Sequence, residues 1–198
     1  MDLPILILAA GQSSRMRGAD KLLEVVGDTP LLRRQVDAAL HVSSRVFVAL
    51  PDQSHPRATL LQGAVAEPVF VADSATGMAY SLRGGVSALP DCRAFMVVLA
   101  DLVELEASDF QNLFDARDQA PKNLIWRGAT QTGKPGHPII FDGTLRPEFS
   151  TLEGDTGGAP ILKRHRSQTH LVQLPGNRAL MDLDTPEDWA NWRAKTGH

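Results

Sequence analysis

Apolar residues in this chain gather in short runs at Leu3 to Ala9, Arg45 to Leu50, Pro68 to Ala72, Ala94 to Ala100 and Asn123 to Trp126. Runs of that length bounded by turns read as strands buried on both faces, and so as a parallel sheet. The stretches between them, "PLLRRQVDAAL", "GMAYSLRGGVSAL" and "EASDFQNLFDARDQ", space their apolar positions as amphipathic helices do. Strands alternating with helices predict an α/β fold with helices on both faces of the sheet. Beyond residue 128 the pattern loosens into "GATQTGKPGHPIIFDGTL", where only "HPIIF" is strand-like. Near the end, Thr185, Pro186 and Asp188 supply a cap, a first-turn proline and a capping-box acid for a closing helix. No repeat, low-complexity tract or linker interrupts the chain, so one domain is expected over 1–198.

Composition narrows the class. A chain of 198 residues can bury a full core without disulfides or metals. Its one cysteine, Cys92, has no His or Cys cluster beside it, which suits a reducing cytoplasm. The longest apolar runs are about a third of a membrane-spanning helix, and no signal-peptide pattern opens the chain. A cytoplasmic protein without membrane contact is therefore expected. A formal charge of −3 speaks against nucleic-acid binding through a broad basic face, so any anion must be met locally.

The charge is concentrated at one place. Between Gly11 and Lys21 the chain carries Arg15, Arg17 and Lys21 against Asp20 alone, a local excess of two positive charges straight after the first apolar run. In open α/β sheets, ligands bind outside the carboxyl ends of the strands, where loops converge and helix N-termini point outward. The loop lies at such an end, and "FMVVLAD" sets Asp101 directly after another core strand. Small loop residues let backbone amides approach a ligand, and left-handed angles tolerated by Gly let several N–H groups face one way. Arg15 offers a planar fork for phosphate oxygens and Lys21 a compact point charge. Two side chains do not neutralise a nucleoside triphosphate of charge about −4, so a divalent cation is expected, with Asp101 as its oxygen ligand.

Plainer readings stand beside these. A Gly and Ser-rich loop after a strand is often only a turn, and Asp101 suits a helix cap or turn equally. Arg33 and Arg34 read as a solvated helix face. "GATQTGKP" at 128–135 has the glycine and lysine spacing of a P-loop, but Pro135 stands where a magnesium-holding Ser or Thr belongs. Gly11 and Gly18 lack the glycine pattern of the dinucleotide fingerprint. Neither "HExxH" nor "GxSxG" occurs, so zinc hydrolysis and serine chemistry lose support.

The sequence "LAAGQSSRM" with Lys21 downstream resembles the signature loop of the MobA-like nucleotidyltransferases, the family that includes molybdenum cofactor cytidylyltransferase and guanylyltransferase. Further matches follow in order: "GMAYSLRGGVSAL", "VVLAD" ending at Asp101, "GHPIIF", "GDTGGAPIL" and "DLDTPEDW". The resemblance implies a three-layer α/β/α, Rossmann-like domain with a mostly parallel sheet, its nucleotide-binding part about 1–105 and its acceptor-binding part about 106–198. It implies transfer of a nucleotide from a triphosphate to a phosphorylated acceptor with loss of pyrophosphate. Carried over by position, Leu8, Ala9, Ala10, Gly11, Gln12, Ser13, Ser14, Arg15 and Lys21, with Gly77 and Ser81, would bind the nucleotide. Arg15, Lys21 and Asp101 would be catalytic, and Asp101 would hold Mg2+. Gly136, His137 and Asp155 fall in segments that resemble the acceptor side; a turn carboxylate and a turn before a strand are the plainer readings. Asp182 and Asp184 read as structural, setting the start of the last helix.

The "LAAG" and "GMAYSL" forms look like the cytidylyl branch, which implies CTP as donor, a molybdopterin-type acceptor and a molybdenum hydroxylase as partner. Two departures stand out: Leu102 and Val103 replace the usual "MP" after the metal-binding Asp, and Pro160 stands where "GDxGAR" carries arginine. Other readings remain open. Cytidylyl transfer to a sugar or polyol phosphate usually goes with "PKQ" where this chain has "ADKLL". A cofactor-binding chaperone without turnover would account for the departures, and an NAD-linked oxidoreductase fits the layout but lacks the fingerprint.

Overall fold

The computed structural model describes residues 3–198. In chain order it holds β1 (Ile5–Leu8), a small hairpin of β2 (Val25–Val26) and β3 (Thr29–Pro30), α1 (Leu31–Leu40), β4 (Val46–Leu50), α2 (Pro56–Thr59) and β5 (Ala66–Phe70). There follow α3 (Met78–Ala88), β6 (Ala94–Leu99), α4 (Ala107–Gln119), β7 (Ile125–Ala129), β8 (Pro135–Asp142), α5 (Arg146–Phe149), α6 (Ala159–Arg164), β9 (Thr169–Gln173) and α7 (Pro186–Thr196). The main sheet has seven strands in the order β5-β4-β1-β6-β8-β7-β9. Strand β8 runs antiparallel to both neighbours, and every other pairing is parallel.

Side chains alternate across this sheet and build two cores. Ile5, Ile7, Val46, Val48, Met96 and Val98 point to one face, where α1, α4 and α7 contribute Leu32, Val36, Phe110, Leu113 and Trp189. Leu6, Phe47, Phe95 and Val97 point to the other, against Leu82 and Val86 of α3 and Phe149 of α5. Each such aliphatic or aromatic side chain removed from water contributes roughly 1.5–3 kcal/mol, and β1, β4 and β6 accordingly carry only apolar residues. Two mid-helix glycines in α3 have a packing reason at Gly85, where a Cβ would lie 2.7 Å from the Leu6 side chain. The helix can therefore lie close on β1.

The expected α/β fold with a mostly parallel, Rossmann-like sheet is the fold observed. Three elements differ from the sequence reading. The strand expected at Pro68 to Ala72 begins at Ala66 and is an edge strand, half exposed rather than buried on both faces. Strand β9 carries no apolar run, because "THLVQ" sits at the opposite sheet edge, where three of its five residues are exposed and the other two only partly buried. The "GATQTGKP" segment is the turn between β7 and β8, closed by Thr130 N–H donating to the Lys134 carbonyl, and holds no helix that a P-loop would need. No helix among the described residues is long and apolar enough to cross a membrane.

Candidate active site

The loop after β1 and the turn after β6 meet because β1 and β6 are parallel neighbours with Leu8 opposite Leu99. Both chain segments leave the sheet at the same edge, and between them opens a cleft of about 630 Å³. Every residue expected to bind nucleotide, from Leu8 through Arg15 with Lys21, Gly77 and Ser81, lines this cleft, as do Asp101 and Asp155. Gly136 and His137 do not line it. Gly136 is buried, with the Ala179 carbonyl 2.0 Å from where a Cβ would sit, so its smallness serves packing in this fold. His137 has an enclosed Nδ1 without a hydrogen-bond partner, and burial and the Arg127 charge push its imidazole down to about 4, leaving it neutral near pH 7.

The loop has a defined shape. Ser13 and Arg17 adopt left-handed angles, φ 49° and 53°, flanking a short 3-10 turn at Ser14–Met16, and Gly18 follows at φ 97°. The left-handed positions are thus Ser13, Arg17 and Gly18, while Gly11 has no protein atom within 4 Å of a Cβ position and leaves room for a ligand.

Charges converge behind the loop. Lys21 Nζ donates to Asp101 Oδ2 at 2.5 Å and to Asp184 Oδ1 at 2.7 Å, and Arg15 reaches the second oxygen of Asp184 at 2.7 Å. Burial works against the Lys21 ammonium, but the Asp101 and Asp184 carboxylates outweigh it and hold its pKa above the ordinary lysine value. Asp182 also lines the cleft, and burial together with the Asp101 and Asp184 charges raises its carboxyl above the usual range.

Asp182 and Asp184, read from the sequence as setting the start of the last helix, also line the cleft. Asp184 does help start α7, its N–H facing Asp188 Oδ2 at 3.3 Å, but its carboxylate is committed to Lys21 and Arg15. They reach the cleft because Leu102 pairs with Asp182 across an antiparallel bridge and Val103 N–H donates to the Met181 carbonyl. Leu102 and Val103 are themselves fully buried. The departure from "MP" is therefore core packing that docks the C-terminal segment against the turn carrying Asp101. Eighty-odd residues separate the two segments, so no local pattern could reveal it. The "GDTGGAP" segment closes another wall: Ala79 N–H donates to the Gly154 carbonyl, and Gly77, φ 145°, has Gly154 O 2.5 Å from its Cβ position.

Three carboxylates face two cations here, and Asp101 Oδ1 is buried without any hydrogen-bond partner. An orphaned carboxylate oxygen in an acidic surplus suits a divalent cation. Among the described residues no group of three His, Cys, Asp or Glu side chains is arranged to hold a metal alone. The protein would thus furnish one or two oxygen ligands and phosphate or water the rest, which is how magnesium is usually held.

A doubly wound sheet with an amide-rich cationic loop and an acidic turn at adjacent strand ends is the arrangement in which α/β proteins take up phosphate-bearing ligands. Sequence comparison makes this specific: a family model for the MobA-like NTP transferase domain matches residues 5–169, and the chain belongs to that family. It is a nucleotidyltransferase. Solved structures with the same fold include Rv0371c from Mycobacterium tuberculosis H37Rv, 23% identical, TM-score 0.79, with 96% of this chain and 97% of that one covered. The fold is shared with CMP:2-keto-3-deoxy-manno-octonic acid synthetase complexed with CTP, 13% identical, TM-score 0.77, coverage 100% and 99%. It is shared too with 4-diphosphocytidyl-2C-methyl-D-erythritol synthase from Anaerococcus prevotii, 16% identical, TM-score 0.76, coverage 100% and 96%. No curated protein matches the chain by sequence.

Proposed function

We propose that this nucleotidyltransferase moves a cytidylyl group from CTP to the phosphate of a molybdopterin-type acceptor and releases pyrophosphate. The observation that carries the reading is the shared cleft at the edge of β1 and β6, which brings Arg15 and Lys21 together with Asp101, whose Oδ1 is left without a hydrogen-bond partner. The "LAAG" and "GMAYSL" forms support cytosine, and two proteins of the same fold are named for cytidylyl chemistry, one of them in complex with CTP.

In this reading the acceptor's phosphate oxygen, already ionised at neutral pH, attacks the α-phosphorus in line. The new P–O bond forms as the bond to the bridging oxygen breaks, and pyrophosphate leaves with that electron pair. No general base is required, so catalysis is positioning and charge stabilisation. Amides of the loop and the side chains of Arg15 and Lys21 take up charge building on the leaving group. Asp155, which lines the same cleft, would meet the acceptor. Asp101, with Asp184 beside it, would hold Mg2+, which when bound offsets phosphate charge and polarises the P–O bonds. A manganese complex of Rv0371c, 22% identical over the same fold, is consistent with a divalent ion in such clefts.

Charge explains the coupling between nucleotide and metal. The resting cluster of Asp101, Asp182, Asp184, Lys21 and Arg15 carries a net formal charge of −1. A triphosphate of about −4 can take Arg15 and Lys21 from their carboxylates only if another cation replaces them. Pyrophosphate release with CTP, GTP or ATP, Mg2+ and molybdopterin tests the proposal. Release confined to CTP plus molybdopterin supports it, whereas turnover with a sugar phosphate instead, or cofactor binding without any pyrophosphate, refutes it. A molybdenum hydroxylase would be the consumer of the product.

A further inference from the structure

Arg57 is the most completely engaged polar side chain in the molecule, although it belongs to neither segment that forms the phosphate loop. It lies on α2, in the connection from β4 to β5, and is 1% exposed. Its guanidinium spends all five of its N–H donors on the loop after β1. Nε and Nη2 grip both oxygens of Asp20 at 2.7 Å, Nη1 reaches the carbonyls of Ala9 at 2.6 Å and Gly11 at 2.7 Å, and Nη2 also meets Ser13 Oγ at 3.1 Å. Ser13 Oγ in turn donates to Asp20 Oδ1, and Asp20 Oδ1 accepts the Leu22 N–H.

Two consequences follow from peptide geometry. In a trans peptide the carbonyl and the following N–H point in opposite directions. Pinning the Ala9 and Gly11 carbonyls on Arg57 therefore turns the N–H groups of Ala10 and Gln12 away from the guanidinium, and both residues line the cleft. Among the described residues, no N–H from Ala10 to Ser14 donates to a protein acceptor, so these amides are left for a ligand. The second concerns strain. Ser13 sits at φ 49°, a left-handed angle that a non-glycine residue keeps only where its surroundings over-determine it. Arg57 and Asp20, both bonded to its hydroxyl, supply that constraint.

We infer that Arg57 is a positioning residue for nucleotide binding: buried beneath the loop, it never meets the triphosphate but sets the peptide planes whose amides do. The inference rests on the nucleotide reading of this cleft and deepens it. It also separates two layers of positive charge, Arg15 and Lys21 on the cleft wall and Arg57 behind it with its charge offset by Asp20.

The test compares Arg57→Lys and Arg57→Met with wild type and with Leu113→Ala, a core variant in α4 that lowers thermal stability without touching the loop. Backbone amide hydrogen exchange is measured without ligand, and MgCTP binding by calorimetry. In Arg57→Met, exchange rises in residues 9–22 while the sheet stays protected, and the MgCTP Kd rises about 10- to 100-fold, as expected for misplaced amide donors to a charged ligand. Arg57→Lys, which keeps the charge but loses the fork, recovers only part of the affinity. Unchanged loop exchange in Arg57→Met overturns the inference, as does loosening spread evenly over the fold as in Leu113→Ala, which would make Arg57 a general stability residue. Failure of wild type to bind MgCTP would instead count against the nucleotide reading, and the exchange comparison would still decide whether Arg57 shapes the loop.

Discussion

Replacing Asp101 with asparagine separates catalysis from stability most sharply. The side chain keeps its shape and an oxygen facing Lys21, now 2.5 Å away, but loses its charge. One unit-charge contact at about 4 Å and an effective dielectric of about 20 is worth roughly 4 kcal/mol before desolvation is subtracted. Against that loss stand two gains: repulsion from Asp182 and Asp184 is relieved, and a carboxylate that is three-quarters buried no longer has to be desolvated. These effects oppose one another, and the net change in folding stability should stay within about 2 kcal/mol. For a domain stable by about 5–15 kcal/mol, that leaves a folded excess of at least about 100 to 1. Turnover, by contrast, loses the charge placed to hold the cation and should fall at least about 100-fold. The assay pairs a thermal melt without ligands with pyrophosphate release across a Mg2+ titration, where the variant should also need more metal for half-maximal rate. A variant within tenfold of wild type in turnover, or one whose activity loss tracks its unfolded fraction, refutes the assignment.

Arg15→Ala should leave the melting temperature within a degree or two, because the side chain is 69% exposed, while pyrophosphate release drops by about 10²-fold. Gly77→Ala would place a Cβ 2.5 Å from Gly154 O and force a strained φ of 145°, so a melt should show about 1–3 kcal/mol of destabilisation. Burial raises the Asp20 carboxyl but the Arg57 bonds outweigh it, holding its pKa below the ordinary 3.8. Its contribution to stability is therefore present above the unfolded value and lost as pH falls through the lower folded one; acid unfolding curves of wild type and Arg57→Met should converge at the acid end. Lys21 has the opposite sign: with its pKa raised above 10.5, its pairing stabilises below that value and fades as pH climbs through the folded one, so the stability gap between wild type and Lys21→Met should narrow as alkaline pH is raised.

Periodicity and loop chemistry made a large part of this protein legible. Central strands announce themselves because both faces are buried and every position must be apolar, as at Val46–Leu50 with all five residues buried. Helix α7 is legible because Thr185 and Asp188 satisfy each other's backbone groups within four residues, a contact that sequence distance alone permits. Edge strand β9 is not, since three of its five positions are exposed and none is fully buried, so residues of modest polarity suit them.

The site divides along the same line. Small residues, Arg15 and Lys21 crowded behind an apolar run mark a candidate anion loop in the sequence alone, because the chemistry is contiguous, and the structure sets that loop in the cleft. Gly136 and His137, by contrast, drew only on resemblance to the acceptor side beside the plain reading of a turn before a strand, and packing sets them in β8, Gly136 against Ala179. The local signal of Asp184 is only that of a helix start, and Arg57 carries none. The first is delivered by the pairing of Leu102 with Asp182, the second by the crossover from β4 to β5. What the chain determines residue by residue is which elements form and which loop concentrates positive charge and small residues. Which carboxylates share Lys21, and which buried guanidinium shapes that loop, follow only from the order of strands in the sheet, since that order alone decides which distant segments leave it side by side.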